Sequence, residues 1–271
     1  MIPRLLAALR RRPSAQPPSR PSGAKGAALY AIGDIHGHSR LLQALLEPAR
    51  QEAARGGPVI VVGLGDYVDR GPDTPGVVDQ LLDIAAAPGV QAHFLRGNHD
   101  QLLLDFLADH TLGPYWQRVG GQQTLQSYGV EPPDSREAMD DWRDARDRFA
   151  ASLPPGHLDF YRGLALSFTW GDYFFAHAGA QPGIPLEQQT AQDLMWIRKV
   201  FLDDDRPFDR IVVHGHTPAE EAHADHRRIG LDTGAYMTGV LSACRFEGAE
   251  RRLVQAVDRR DAPPELRSGP L

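Results

Sequence analysis

Five short stretches carry side chains whose types and spacing suit metal-assisted chemistry: Asp34-x-His36, Asp66, Asn98-His99, His177-Ala178-Gly179 and His214-Gly215-His216. Their donors are oxygens and imidazole nitrogens without a thiolate, a set that fits borderline-hard divalent ions such as Mn²⁺, Zn²⁺ or Fe²⁺. One ion can take Asp34 and His36, a second can take Asn98, His177 and His216, and the two oxygens of Asp66 can bridge them. Such a pair polarises a phosphoryl group and lowers the pKa of a shared water. A neutral Asn among the ligands keeps the site positive enough to attract an anion. His99 stands beside a ligand without being needed as one, so it can protonate a leaving oxygen as general acid. Asp69, in the same loop as Asp66, can hold that imidazole and raise its proton affinity. Arg70 and Arg96 border their motifs and can clamp phosphate oxygens, with Arg198 as a third clamp.

Plainer readings stand beside these. His214 follows an apolar run and reads as a packed neighbour of the ligands. His110, His157, His223 and His226 read as surface histidines, and Arg198 can equally be an ion-paired helix residue.

The elements that must position these groups are visible in the apolar patterning. Ala28–Ile32, Pro58–Leu64 and Gln91–Leu95 are short apolar runs that each end in a motif. Helical spacing follows each one: from Ser39 with Leu41, Leu42, Leu45 and Leu46; from Thr74 to Ala86; and from Gln101 to Ala108. Strand, motif loop and helix repeated in this way describe βαβ units. Their right-handed crossovers bring the three loops to one edge of a parallel sheet, where open α/β folds bind ligands. Residues 110–162 contain no strand pattern and read as a helical insertion near the site, with an amphipathic helix over Ser135–Ala151. Beyond it, short strands are expected at 164–170, 173–176, 211–213, 228–231, 240–246 and 252–256, with one helix from Ala191 to Leu202.

The chain has 271 residues, 42% hydrophobic and 24% charged, with a formal net charge of -6. These values describe an ordinary soluble protein and argue against a stable nucleic-acid partner. No apolar run approaches the roughly 20 residues of a transmembrane helix. Cys244 is the sole cysteine, which excludes a disulfide framework and fits a reducing, cytoplasmic setting. Residues 1–25 read as a disordered basic tail. Within it, Ile2–Arg12 has two sharper readings: a small interfacial helix or a transit peptide. The catalytic domain is expected over 26–258, followed by a polar tail at 259–271.

Taken in order, Gly33-Asp-Ile-His-Gly37, Gly65-Asp-Tyr-Val-Asp-Arg-Gly71, Gly97-Asn-His-Asp100, His177-Ala-Gly179 and Gly215-His216 resemble the signature of the phosphoprotein phosphatase family, in its bacterial and phage-type branch. The resemblance spans roughly residues 27–257. It implies a calcineurin-like α/β fold, a β-sandwich flanked by helices, with two metal ions at the strand ends. It places the ligand roles on Asp34, His36, Asp66, Asn98, His177 and His216, and the acid role on His99 supported by Asp69. The phosphate-binding roles fall on Arg70 and Arg96, with Arg198 a looser match. The implied reaction is hydrolysis of phosphoserine or phosphothreonine, with phosphotyrosine or a phosphorylated small molecule as further substrates. Asp100 stands where eukaryotic protein phosphatases usually carry Glu, a feature shared with symmetrical dinucleoside tetraphosphatases. A dinucleoside tetraphosphatase or RNA-decapping hydrolase is therefore the alternative, whereas retention of Asp69 favours the protein phosphatases. An inactive binding module on this fold is a third reading, although no ligand of the signature is missing.

Overall fold

A computed structural model describes residues 20–24, 26–135, 137–259 and 261–271. The expected interfacial helix or transit peptide at 2–12 lies outside these residues.

Eleven strands are described: β1 (Ala28–Ile32), β2 (Val59–Gly63), β3 (Val90–Phe94), β4 (Ser167–Trp170), β5 (Tyr173–Ala176), β6 (Ile211–His214), β7 (His223–Ala224), β8 (Arg228–Gly230), β9 (Val240–Glu247), β10 (Glu250–Arg259) and β11 (Ala262–Pro270). They form a six-stranded sheet in the order β11-β10-β9-β1-β2-β3 and a five-stranded sheet in the order β4-β5-β6-β8-β7. The period-2 geometry of a strand explains how the sheets stack. In β1, Tyr30 and Ile32 face a helical layer containing Leu41, Leu45 and Val77, whereas Leu29 and Ala31 face the other sheet. In β5, Tyr173 and Phe175 meet them there, while Phe174 and Ala176 turn outward onto Leu194 and Phe201. The result is a β-sandwich flanked by helices, with apolar residues on both faces of its central strands.

β1, β2 and β3 run parallel, as do β5, β6 and β8. The loops after β1, β2, β3, β5 and β6 are the five motif loops. Parallel strands deliver their carboxyl ends to one edge, and this is why motifs so far apart in sequence meet.

Three expectations differ from the structure. Residues 259–271 are not a polar tail, because β11 pairs antiparallel with β10 from Arg252↔Pro270 to Arg259↔Ala262. Its stabilisation is largely backbone pairing, which a polar sequence with Pro263 and Pro264 does not advertise; proline is tolerated on such an edge strand. The end of the N-terminal tail is also docked: Ser22 N donates to Asp172 Oδ2 at 2.9 Å and Gly23 N to Gly248 O at 2.9 Å. Gly23 has no Cβ, and one there would overlap the Trp170 ring. Finally, the helix expected from Ala191 to Leu202 is two short ones, Ala191–Trp196 and Lys199–Leu202. Ile197 is extended, with ψ 143°, and breaks the run so that Arg198 turns toward the motif loops.

Candidate metal centre and acid–base pair

The motif loops are stitched together before any side chain reaches a ligand. Ile35 N and His36 N both donate to Asp66 O, at 3.2 and 2.8 Å, joining the loops after β1 and β2. The Asp100 carboxylate accepts from Asp66 N, Tyr67 N and Gly97 N at 2.9, 3.0 and 2.9 Å, joining the loops after β2 and β3. Asp66 Oδ1 in turn accepts from His99 N at 3.0 Å, and Asp34 accepts from His216 N at 3.0 and 3.1 Å. Gly97 permits this closeness, since a Cβ there would overlap the Asp66 carboxylate. Among the described residues, the non-glycine positions with positive φ are His36 (46°), Asp66 (54°), Asp69 (72°), Arg70 (68°) and His216 (65°). All five belong to the motifs. Backbone strain of this kind costs roughly 1–3 kcal/mol per residue and persists only where the surroundings enforce it.

Two groups of ligand atoms converge within 4.8 Å: His36, Asp66 and His99, and Asp66, His177 and His216. Every one of these residues is buried. Hydrogen bonding fixes which nitrogen faces inward. His36 Nδ1 lies 2.8 Å from Val68 O and His177 Nδ1 2.9 Å from Leu64 O, so each Nδ1–H donates outward. Each Nε2 therefore turns a lone pair toward Asp66, at 3.6 Å for His36 and 3.4 Å for His177. His177 Nε2 is also 3.0 Å from Asn98 Oδ1 and 3.1 Å from His216 Nδ1. His216 Nε2 is buried without a partner.

Burial holds the proton affinities of His36, His177 and His216 below the ordinary imidazole range, to about 2 for His216. Burial opposes ionisation of Asp66 too, but the surrounding imidazoles of His177, His99 and His36 outweigh it and keep this carboxyl well below the usual range. An ionised carboxylate shared by neutral imidazole lone pairs, a carbonyl oxygen and an orphaned nitrogen is a donor set that fits divalent cations.

His99 differs from the other histidines. Its Nδ1 lies 2.6 Å from Asp69 Oδ2. Burial alone would lower its proton affinity, but Asp66 and the bonded Asp69 raise it above the ordinary value. Asp69 is itself caged by the helical insertion: Trp116 Nε1 donates to both its oxygens at 3.0 Å and Thr124 Oγ1 to Oδ1 at 2.8 Å. Thr124 Oγ1 also accepts from Asp69 N at 2.8 Å.

The expected anion clamps fall in different places. Arg70 is at the centre, donating to His36 Nε2 at 3.0 Å and to His99 Nε2 at 2.9 Å, with its guanidinium 4.2 Å above the Tyr236 ring. Arg198 Nη1 reaches His216 O at 3.3 Å from the rim. Arg96 is bonded elsewhere, to Gln101 Oε1 at 3.1 Å and to Arg162 O at 3.0 Å. Asp34 is buried beside the second group, its oxygens on the His216 backbone, and its carboxyl is raised by burial and by Asp232 and Asp66. His214 packs as expected, 5.0 Å from the Phe201 ring, and burial lowers its proton affinity to about 3. His157 is not a surface histidine: it is 3% exposed, bonded to Asp79 and to Tyr128.

Four contributors went unseen in the sequence: Trp116, Thr124, Tyr236 and Asp100 in its role as loop clamp. Only Asp100, inside a motif, carried a signal that pointed to it.

Residues 28–242 match the calcineurin-like phosphoesterase family. The chain belongs to that family. Calcineurin-like phosphoesterases work through a dinuclear metal centre, in keeping with two convergent groups that share Asp66. The asymmetrical bis(5'-nucleosyl)-tetraphosphatase PrpE of Geobacillus thermodenitrificans strain NG80-2 is 28% identical over 238 residues, covering 79% of this chain and 89% of that protein. Serine/threonine-protein phosphatase 1 of Salmonella typhimurium strain LT2 is 31% identical over 93 residues, 34% of this chain and 38% of that protein. Among solved structures, a cold-active protein tyrosine phosphatase superposes with a TM-score of 0.55 at 17% identity, covering 89% of this chain and 78% of that one. That likeness shows the fold. The expected family and architecture are therefore met, and the chain is a metallophosphoesterase. Among its described residues, no helix is long and apolar enough to cross a membrane.

Proposed function

We propose that this metallophosphoesterase hydrolyses the phosphoanhydride chain of dinucleoside polyphosphates. This reverses the order expected from the sequence, in which protein serine/threonine phosphatase came first. The observation that carries the reading is coverage: the similarity to the tetraphosphatase of Geobacillus thermodenitrificans runs over 79% of this chain, against 34% for the protein phosphatase of Salmonella typhimurium.

In this reading Asp34, His36, Asp66, Asn98, His177 and His216 hold two divalent ions, with Mn²⁺ the first choice and Fe²⁺ or Zn²⁺ compatible with the same donors. When bound, the ions polarise the scissile phosphoryl group and acidify a water. The chain's own residues do the rest. Arg70, free to turn its donors from the imidazoles to an anion, grips non-bridging oxygens whose charge grows in the transition state. Arg198 adds a second cation from the rim, and Arg96 reaches the anion only if it leaves its carbonyl partners. His99, held by Asp69, delivers a proton from Nε2 to the departing oxygen. The free, buried Cys244 fits a reducing cytoplasm.

A protein phosphatase is the second reading, favoured by the 2.6 Å His99–Asp69 pair. A serine or threonine alkoxide needs a proton to leave, whereas a phosphate group with a pKa near 6 leaves readily without one. The test is turnover of diadenosine tetraphosphate and a phosphothreonine peptide side by side with Mn²⁺, with chromatography of the nucleotide products. We expect kcat/KM for the dinucleotide to exceed that for the peptide by at least tenfold. A preference for the peptide would reinstate the protein phosphatase. The products also report the position of attack, since equal halves mean cleavage at the centre of the chain and unequal fragments mean cleavage off-centre.

A further inference from the structure

In a phosphoryl transfer the attacking and leaving oxygens lie roughly in line, so the leaving group departs on the side of its proton donor. That donor is His99, and the side it occupies is closed by the helical insertion through Trp116, Thr124 and Asp69. The part of the insertion nearest Arg70 is the irregular run from Gly113 to Gly121, a short helical stretch that breaks in a turn at Gly120, whose φ is 122°. Here the turn puts Gly120 O 3.0 Å from Arg70 N and Val119 O 3.5 Å from Arg70 Nε.

Two side chains of this run reach the surface. Trp116 is fully buried against Asp69, but its neighbour Tyr115 is 40% exposed, one of the few large apolar side chains that is. Arg118 is exposed, and its guanidinium stands 5.3 Å from the centre of the Tyr115 ring. Among the described residues, Arg118 has no carboxylate partner. A surface aromatic ring paired with a guanidinium that has no carboxylate partner, in the run whose Val119 and Gly120 carbonyls meet Arg70, suits a ligand carrying a base and further phosphates. A peptide alkoxide would leave both groups idle.

We propose that Tyr115 and Arg118 form the subsite for the departing nucleoside polyphosphate. Arg118 pairs with a phosphate beyond the scissile one, and Tyr115 stacks on the base. This inference rests on the proposed function and names the specificity-determining residues for it.

The experiment compares steady-state kinetics of the wild type, Tyr115→Leu, Tyr115→Phe and Arg118→Ala on diadenosine tetraphosphate and on p-nitrophenyl phosphate, which has neither base nor phosphate chain. Stacking of this kind is worth a factor of roughly ten or more. Tyr115→Leu and Arg118→Ala should each raise KM for the dinucleotide about five- to tenfold, with kcat within about threefold. Tyr115→Phe, which keeps the aromatic face, should stay within twofold. KM for p-nitrophenyl phosphate should move less than twofold throughout. If the wild type turns over the dinucleotide and neither variant changes its KM, or if both substrates lose equally, the subsite is refuted and the proposed function stands. If the wild type turns over only p-nitrophenyl phosphate, the proposed function fails and takes the subsite with it.

Discussion

Two aspartate–histidine pairs lie where the helical insertion meets the rest of the molecule, the first capped by its Trp116 and Thr124 and the second containing its His157, and they have opposite characters. In the first, His99 Nδ1 meets Asp69 Oδ2 at 2.6 Å; in the second, His157 Nε2 meets Asp79 Oδ1 at 2.9 Å. Both imidazoles are buried. The second pair is saturated, because His157 Nδ1 is 2.8 Å from Tyr128 Oη, which in turn lies 3.3 Å from Tyr161 Oη. Its carboxylate is largely solvent-exposed, 67% for the side chain. The first pair is enclosed on its carboxylate side, and the other nitrogen of its imidazole, His99 Nε2, meets Arg70 Nη2 at 2.9 Å and lies 4.0 Å from Asp66 Oδ2. A histidine held between a carboxylate and a tyrosine hydroxyl that is itself bonded is a strut. One held by a carboxylate, with its other nitrogen on an arginine that can turn away to an anion, can move a proton once that arginine leaves.

The largest effect should come from His99→Asn. Where the leaving oxygen is an alkoxide, loss of a positioned acid costs about 10²–10⁴ in kcat. Where a phosphate leaves, we expect a loss nearer tenfold, measured by single-turnover hydrolysis of the two substrate types. Equal losses on both would mean that His99 acts as a ligand or anchor rather than as an acid. Asp69→Asn should come next, at about 10² on alkyl phosphates, and with a signature in pH. Asp66 and Asp69 together raise the proton affinity of His99, so the protonated, active form persists above the ordinary imidazole range. Removing the Asp69 charge lowers that affinity, and the alkaline limb of the kcat/KM profile should shift toward lower pH. An unmoved limb would assign it to another group.

The same contrast explains what could be read from the sequence. The first pair was legible because its residues sit in motifs at strand ends, where apolar runs stop and chemistry-bearing residues begin. Asp66, Asp69, Arg70 and His99 are examples. The donors that cage Asp69 were not legible, since Trp116 in a helical run reads simply as core and Thr124 as a polar filler. His157 follows Pro154-Pro155-Gly156, a context that reads as a surface turn. Its burial depends on Tyr128 and Asp79 arriving from other helices. β11 escaped for a related reason, because backbone pairing to β10 leaves little mark on side-chain pattern. Residue types announced the candidate ligands, but tertiary proximity alone decides which partner each nitrogen meets. Arg96 shows the limit: it borders a motif as Arg70 does, yet its guanidinium is spent on Gln101 and the Arg162 carbonyl.

The smallest effect on turnover should come from breaking the saturated pair. His157→Leu keeps much of the buried volume but deprives the Tyr128 hydroxyl of its imidazole partner, while the exposed Asp79 returns to water. An orphaned buried hydroxyl costs roughly 1–3 kcal/mol, and Tyr161 offsets part of it. We expect the urea midpoint to fall accordingly at unchanged slope, with kcat/KM per folded molecule within about threefold of the wild type. The opposite result would be informative. Tyr161 O lies 3.5 Å from Arg96 Nη2, so the strut and the arginine share one backbone segment. A hundredfold loss of turnover at intact stability would mean that this segment controls Arg96, making the second pair part of the chemistry after all.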